Sequence, residues 1–185
     1  MPTLTEVVNG FLDHAELLKN PDYRYLELIQ GRPRLLPLPM GAERGQAVAR
    51  FTMYWGVEVV RQQRGICYAA NTGFHFKWHG STVKSPDFSF VSASTTRRTR
   101  GMGFVEATPD LVIESGQDEL TPARIREWLF FKVKYVINLD TKNKVMIVHR
   151  PDHEPITLTY DDVFTAEDIL PGFVLPMTKV FPTHE

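Results

Sequence analysis

The chain offers almost no sulfur chemistry: a single cysteine, Cys67, stands in 185 residues. That excludes an internal disulfide framework and any metal site built from cysteines alone. An excess of positive charge is missing too. Lys and Arg total 21 against 22 Asp and Glu, a formal charge of −1, so any contact with nucleic acid must be a local basic patch. No apolar run reaches the ~18 residues of a membrane span, and Met1 to Glu6 carries neither the basic region nor the apolar core of a secretion signal. Internal repeats, low-complexity tracts and Gly/Ser linkers are absent as well. The expectation is one domain over 1–185, soluble and cytoplasmic, away from membranes, with a reduced and inert thiol at a buried Cys67.

What is present is an ordinary globular balance of 43% hydrophobic, 11% aromatic and 23% charged residues, which excludes wholesale disorder. A domain of this length buries roughly 70% of the surface of its unfolded chain, enough for a core without staples. Thr3-x-x-Glu6 has capping-box spacing and opens a predicted helix with Leu4, Val7, Val8, Phe11 and Leu18 on one stripe, stopped at Asn20-Pro21. Tyr25 to Ile29 and Arg34 to Leu36 flank Gln30-Gly31 and read as a β-hairpin, broken after by Pro37 and Pro39. From Gln46 to Arg64 the period turns helical, with Val48, Phe51, Trp55 and Val59 on one face and Gly65 at the end. Extended segments follow at Thr72–Trp78, Asp87–Val91 and Asp110–Glu114, then a helix at Pro122–Phe131 and strands at Tyr135–Leu139, Lys144–His149 and Ile156–Tyr160, the last two pairing. Asp140 to Asn143 is the turn between the first two of these strands. This order predicts an α/β (α+β) fold with a mixed sheet rather than a bundle or sandwich.

Three carboxylates stand out because each lies in, or opens, an apolar strand: Glu27 between Leu26 and Leu28, Asp87 before Phe88-Ser89-Phe90-Val91, and Glu114 after Leu111-Val112-Ile113. Such groups are costly unless hydrogen-bonded, paired or bound to a cation. Asp110 and Glu114 share a strand but stand ~13 Å apart, whereas adjacent strands are ~5 Å apart. Asp87 and Glu114 can therefore meet, and Asp110 reads as a structural strand opener. A carboxylate at a strand end is more often a solvated or capping group than a metal ligand. His75, His79, His149 and His153 lack a ligand spacing such as HExxH and read as surface or edge histidines. Trp55 and Trp128 read as core.

The succession Tyr25-Leu26-Glu27-Leu28-Ile29-Gln30-Gly31, Ser85-Pro86-Asp87-Phe88-Ser89-Phe90-Val91 and Pro109-Asp110-Leu111-Val112-Ile113-Glu114 resembles the Uma-two family of restriction-endonuclease-like proteins in the PD-(D/E)xK nuclease superfamily. Lys134 to Asp140 with Lys144 to Arg150, and Leu170-Pro171-Gly172-Phe173, match that family as well. The resemblance covers nearly the whole chain. It implies a restriction-endonuclease-like core and an active site in which Asp87 and Glu114 hold Mg²⁺ or Mn²⁺ and Glu27 assists. Metal ions there would activate water and offset charge on the leaving oxygen. Arg97, Arg98, Arg100, Lys132 and Lys134 read either as DNA phosphate contacts or as an ordinary solvated surface.

The chain departs from the pattern at its lysine. Glu114-Ser115-Gly116 has none two residues after the glutamate, and the following helix, Thr121 to Trp128, carries Arg124 and Arg126 instead. Arginine can hold a phosphate but does not relay a proton. Arg44 stands where relatives carry a histidine after the hairpin. The sequence thus predicts a Mg²⁺-dependent endonuclease on DNA, with Arg124 or Arg126 as the phosphate-side cation. Its rivals are a binding module for nucleic acid or protein with catalysis weakened or lost, and a metal-dependent hydrolase of small phosphoesters. A homodimer follows by analogy with restriction-type nucleases that address two strands.

Overall fold

The computed structural model describes residues 10–37, 39–95 and 103–182. In chain order the elements are α1 (His14–Lys19), a 3-10 turn (Pro21–Tyr23), β1 (Leu26–Ile29), β2 (Arg32–Leu35), α2 (Ala42–Gln62), β3 (Gly65–Tyr68), β4 (Phe74–His75), β5 (Val83–Lys84), β6 (Phe88–Ser92), β7 (Leu111–Ile113), α3 (Thr121–Phe130), β8 (Tyr135–Asp140), β9 (Val145–His149), β10 (Ile156–Leu158), β11 (Val163–Thr165), β12 (Val174–Pro176) and α4 (Met177–Val180). Six strands form the main sheet in the order β10-β9-β8-β7-β6-β3, and four form a smaller one in the order β2-β1-β5-β4. Between these strands every pairing is antiparallel except β7 with β8, which run parallel and are joined across α3. This is the mixed sheet flanked by helices that the element order predicts.

Alternation along the strands gives the main sheet two buried faces. Phe88, Phe90, Leu111, Ile113 and Ile137 pack toward α2, whose stripe of Val48, Phe51, Trp55 and Val59 is buried as expected. Fully burying Phe51 contributes about 2–3 kcal/mol. Val91, Val112 and Val136 face the other way, against Ile125 and Trp128 of α3. Asp87 and Glu114 lie on this second face by the same alternation.

The hairpin forms where the sequence puts it. Gln30 and Gly31 both have positive φ, 52° and 78°, the geometry of a tight turn whose twist matches the strands it joins. The amino-terminal helix differs from expectation. Thr3, Leu4, Glu6, Val7 and Val8 lie outside the described residues, and Phe11 precedes the helix rather than lying on it. The Leu12 N–H donates to Gly31 O at 2.8 Å, holding that segment against the hairpin. α1 then starts at its own capping box, where Asp13 accepts from the Ala15 and Glu16 N–H groups and Glu16 accepts from the Asp13 N–H.

One further expectation narrows and another changes. His75, of the two alternatives, is an edge histidine on β4 and not a surface one, buried and stacked at 4.0 Å on the His14 ring. Cys67 is half-buried rather than sealed, and desolvation pushes its thiol up to about 11, so it stays protonated and unreactive. Among the described residues no helix is long and apolar enough to cross a membrane.

Candidate functional site

The register of β6 on β7 pairs Phe88 with Ile113 and Phe90 with Leu111. Extending it by one residue sets Asp87 opposite Glu114, and the Asp87 N–H donates to Ile113 O at 3.0 Å. Asp110, at the far end of β7, accepts from the Ser92 N–H at 2.8 Å and pairs with Lys134 at 2.8 Å. It takes no part in the centre.

α3 crosses over this pair, and its period presents Arg124, Glu127 and Trp128 inward at i, i+3 and i+4. The Arg124 guanidinium forks onto Glu114, donating from Nε to Oε2 at 2.8 Å and from Nη2 to Oε1 at 2.9 Å. Its Nη1 donates to Glu27 Oε1, and Nη2 also reaches Ser85 O at 2.9 Å. The Trp128 indole N–H donates to Glu114 Oε1. Asn138 donates to the Glu114 and Gly116 carbonyls at 2.7 and 3.0 Å, fixing the turn after β7. Asp87 Oδ2 accepts from the Ser115 N–H at 2.7 Å and from its hydroxyl at 2.6 Å.

A second tier of charge surrounds these groups. Arg34 of the hairpin donates from Nε to Glu27 at 2.8 Å and forks onto Glu127 at 2.7 and 2.6 Å. Lys84 of β5 is fully buried, bonded to Glu127, with its Nζ 4.8 Å from the Trp128 ring centroid. The ion-paired groups balance, Glu27, Glu114 and Glu127 against Arg34, Lys84 and Arg124, with Asp87 beside them as a fourth carboxylate. Burial pushes the Glu114 carboxyl up, against the pull of Arg124 and Lys84. Burial works the same way on Glu127, but Arg34 and Lys84 overcome it and hold that group at about 2. Burial pulls Lys84 down, opposed first by Glu27. Arg124 stays cationic, since its carboxylate neighbours outweigh its own desolvation.

The sequence left Arg124 and Arg126 open as the basic partner of the carboxylates. The structure places Arg124 among them and turns Arg126 outward, exposed. Glu27, Asp87 and Glu114 converge, while Lys134 is paired elsewhere and Lys132 is exposed past the end of α3. Arg97, Arg98 and Arg100 lie outside the described residues. Gly116, the position two residues after the glutamate, lies where a Cβ would stand 2.4 Å from Thr121 Oγ1, so a lysine there requires the Thr121 side chain to shift. Arg44 lies at the rim, 3.4 Å from the Ser115 hydroxyl, with its Nε buried and without a partner among the described residues. Sequence reasoning missed Lys84, Arg34 and Glu127 altogether. The one local signal was a lysine, Lys84, between Val83 and the Ser85-Pro86-Asp87 run.

A divalent ion needs several free carboxylate oxygens around an octahedral shell. Glu114 has both oxygens engaged by Arg124 and Trp128, and Glu27 is bonded to two guanidinium groups. Among the described residues no trio of His, Cys, Asp or Glu is placed to hold a metal ion. In this arrangement the donor set fits a guanidinium and does not fit Mg²⁺.

The Uma2 family model, described as "Putative restriction endonuclease", matches residues 11–178. The fold is similar to the crystal structure of a "putative nuclease belonging to DUF820" from Anabaena variabilis, with a TM-score of 0.74 at 19% identity, covering 92% of this chain and 97% of that chain. No curated protein sequence matches.

Proposed function

Because the chain belongs to the Uma2 family of nuclease-like proteins, we propose that it is a nuclease-fold protein that engages nucleic acid while its own Arg124 closes the carboxylate centre. Metal-dependent hydrolysis is weakened or lost in this state. The observation that carries the reading is the Arg124 fork on Glu114 with a further bond to Glu27. A lysine would place one small, mobile ammonium there, whereas arginine spreads a permanent charge over both carboxylates in a rigid plane.

Plasmid and single-stranded DNA incubated with Mg²⁺ or Mn²⁺ test it. The expected result is binding that weakens steeply with salt and no cleavage above a chelator control. Cleavage abolished by chelator and by Asp87→Asn would overturn it.

One observation favours a second reading, a Mg²⁺- or Mn²⁺-dependent DNA endonuclease with Asp87 and Glu114 as ligands and Glu27 in support. Asp87 is half-buried, directly across from Glu114, and only its Oδ2 is hydrogen-bonded among the described residues. The buried amine of Lys84, on a different element from the helix expected to carry it, adds a lysine to the centre. This reading requires Arg124 to leave Glu114. Chelator-sensitive cleavage that is lost in Asp87→Asn would establish it in place of the first.

A further inference from the structure

The outward face of α3 carries a different chemistry from its inward face. Ala123, Arg126 and Phe130 recur at helical spacing and line a cleft of about 330 Å³ with Ile29, His79, Phe131 and the flank of the inward-facing Glu127. Beside it stands Trp78, with its ring 5.8 Å from Phe130 and 5.5 Å from Phe131. Trp78 is 62% exposed and Phe130 54% exposed, although large aromatic rings normally supply core or interface. The His79 ring lies 5.2 Å from Phe130 and is fixed in plane by Gln30 and Thr82, each at 3.1 Å. Since the Thr82 hydroxyl donates to His79 O at 2.9 Å, it accepts from His79 Nδ1–H, and Nε2 accepts from the Gln30 amide. The ring is thereby held edge-to-face with the cleft aromatics.

Charge at this place has one sign to spare. Glu127 is neutralised from behind by Arg34 and Lys84. Arg126 makes no ion pair among the described residues, and Lys132 is exposed just past Phe131. Exposed flat rings beside an unspent guanidinium suit an occupant that is itself flat, aromatic and attached to phosphate.

We propose that Trp78, His79 and Phe130, with Arg126 at the rim, form a stacking platform for an unpaired base of single-stranded DNA. The inference rests on the nucleic-acid reading above and names the strand form that the protein takes. Duplex bases present only their edges, whereas an unpaired base offers a face, and stacking tolerates any sequence. The His79 ring is engaged by Gln30 and Thr82, the Glu127 carboxylate by Arg34 and Lys84, and Arg126 is assigned to phosphate, so no polar side chain of the lining is left for a ribose 2′-hydroxyl, which commits the site to DNA over RNA.

Trp55 and Trp128 are fully buried, so quenching of tryptophan emission by a bound base reports Trp78. The experiment titrates the full chain with a short oligothymidylate, reading emission and anisotropy, beside a duplex of mixed sequence and an oligouridylate. Expected are quenching on binding and affinity weakened about 5- to 100-fold in Trp78→Ala and in Phe130→Ala. Phe130→Tyr should keep the ring and most of the affinity, and Arg126→Gln should reduce the salt slope by about one. Both alanine variants remove exposed side chains, and circular dichroism checks that they fold. Wild-type affinity in both variants, duplex binding without quenching, or tighter binding of oligouridylate would overturn the platform and leave the nucleic-acid reading standing. Failure to bind any of the three would overturn that reading itself.

Discussion

Arg124 holds a charge balance that burial on its own would break. Desolvation pushes Glu114 up, and the guanidinium fork is the first contribution opposing it. Arg124→Met removes the fork, leaves buried carboxylates short of a partner, and should cost about 3–5 kcal/mol of stability at pH 8. The loss should shrink at pH 5. A glutamate whose folded value lies above its unfolded one binds its proton more tightly when folded, so stability falls as pH rises through that range. Urea unfolding at the two pH values measures this, and an equal loss at both would show that Arg124 is not balancing Glu114 charge. The two buried tryptophans make a matched comparison. Trp128 donates to Glu114, whereas the Trp55 indole N–H has no partner among the described residues. Beyond lost packing, Trp128→Phe should cost an additional ~1–3 kcal/mol through the acceptor it leaves short, and Trp55→Phe should not. Equal Tm changes for the two would contradict the bond to Glu114. Asp87 and Glu114 were legible as a pair because strand spacing decides which carboxylates can meet. Lys84 and Arg34 were not, because their common partner Glu127 is 43 and 93 residues away along the chain.

At the scale of elements, an apolar run or a turn signal made an element readable: β7 and β10, three residues each, lie inside the expected Asp110–Glu114 and Ile156–Tyr160, whereas β5, β11 and β12 have no such signal. The stripe through Val48, Phe51, Trp55 and Val59 fixes α2 because four residues repeat one face. β5 is two residues, too short for any alternation to show, and it forms because β1 offers an edge to pair with, while β4, inside the expected Thr72–Trp78, pairs on β5 in turn. β3 was missed for a different reason. Gly65 was read as the helix stop, but the left-handed residue that ends α2 is Gln63, at φ 54°. Gly65 instead opens β3, where a Cβ would stand 2.1 Å from Val91 O. Gln63 is exposed, so Gln63→Gly relieves the left-handed strain without touching packing. It should raise stability by roughly 0.5–1 kcal/mol, visible as a higher urea midpoint at unchanged slope. A lower midpoint would mean that the Gln63 side chain contributes more than its backbone costs.

At the scale of the molecule, the six charges join parts that are far apart in sequence. Glu27 and Arg34 come from the hairpin, Lys84 from β5, Arg124 and Glu127 from α3, and Glu114 from the end of β7. The smaller sheet is thus fastened to the crossover helix by ion pairs as well as by Phe74 on Trp128, while the two faces of the main sheet are held by apolar packing. Such a joint can open without unfolding the main sheet. The sealed position of Lys84 gives that opening a chemical clock. An amine with no exposed surface is out of reach of acylating reagents, so its labelling waits for the sheet to part from the helix. In timed acylation followed by mass spectrometry, Lys84 should be modified long after the exposed Lys77 and Lys132, and Arg124→Met should advance it. Early labelling of Lys84 in the wild-type chain would mean that the joint stands open. Read over time, one lysine then reports how often the protein uncovers its own carboxylates.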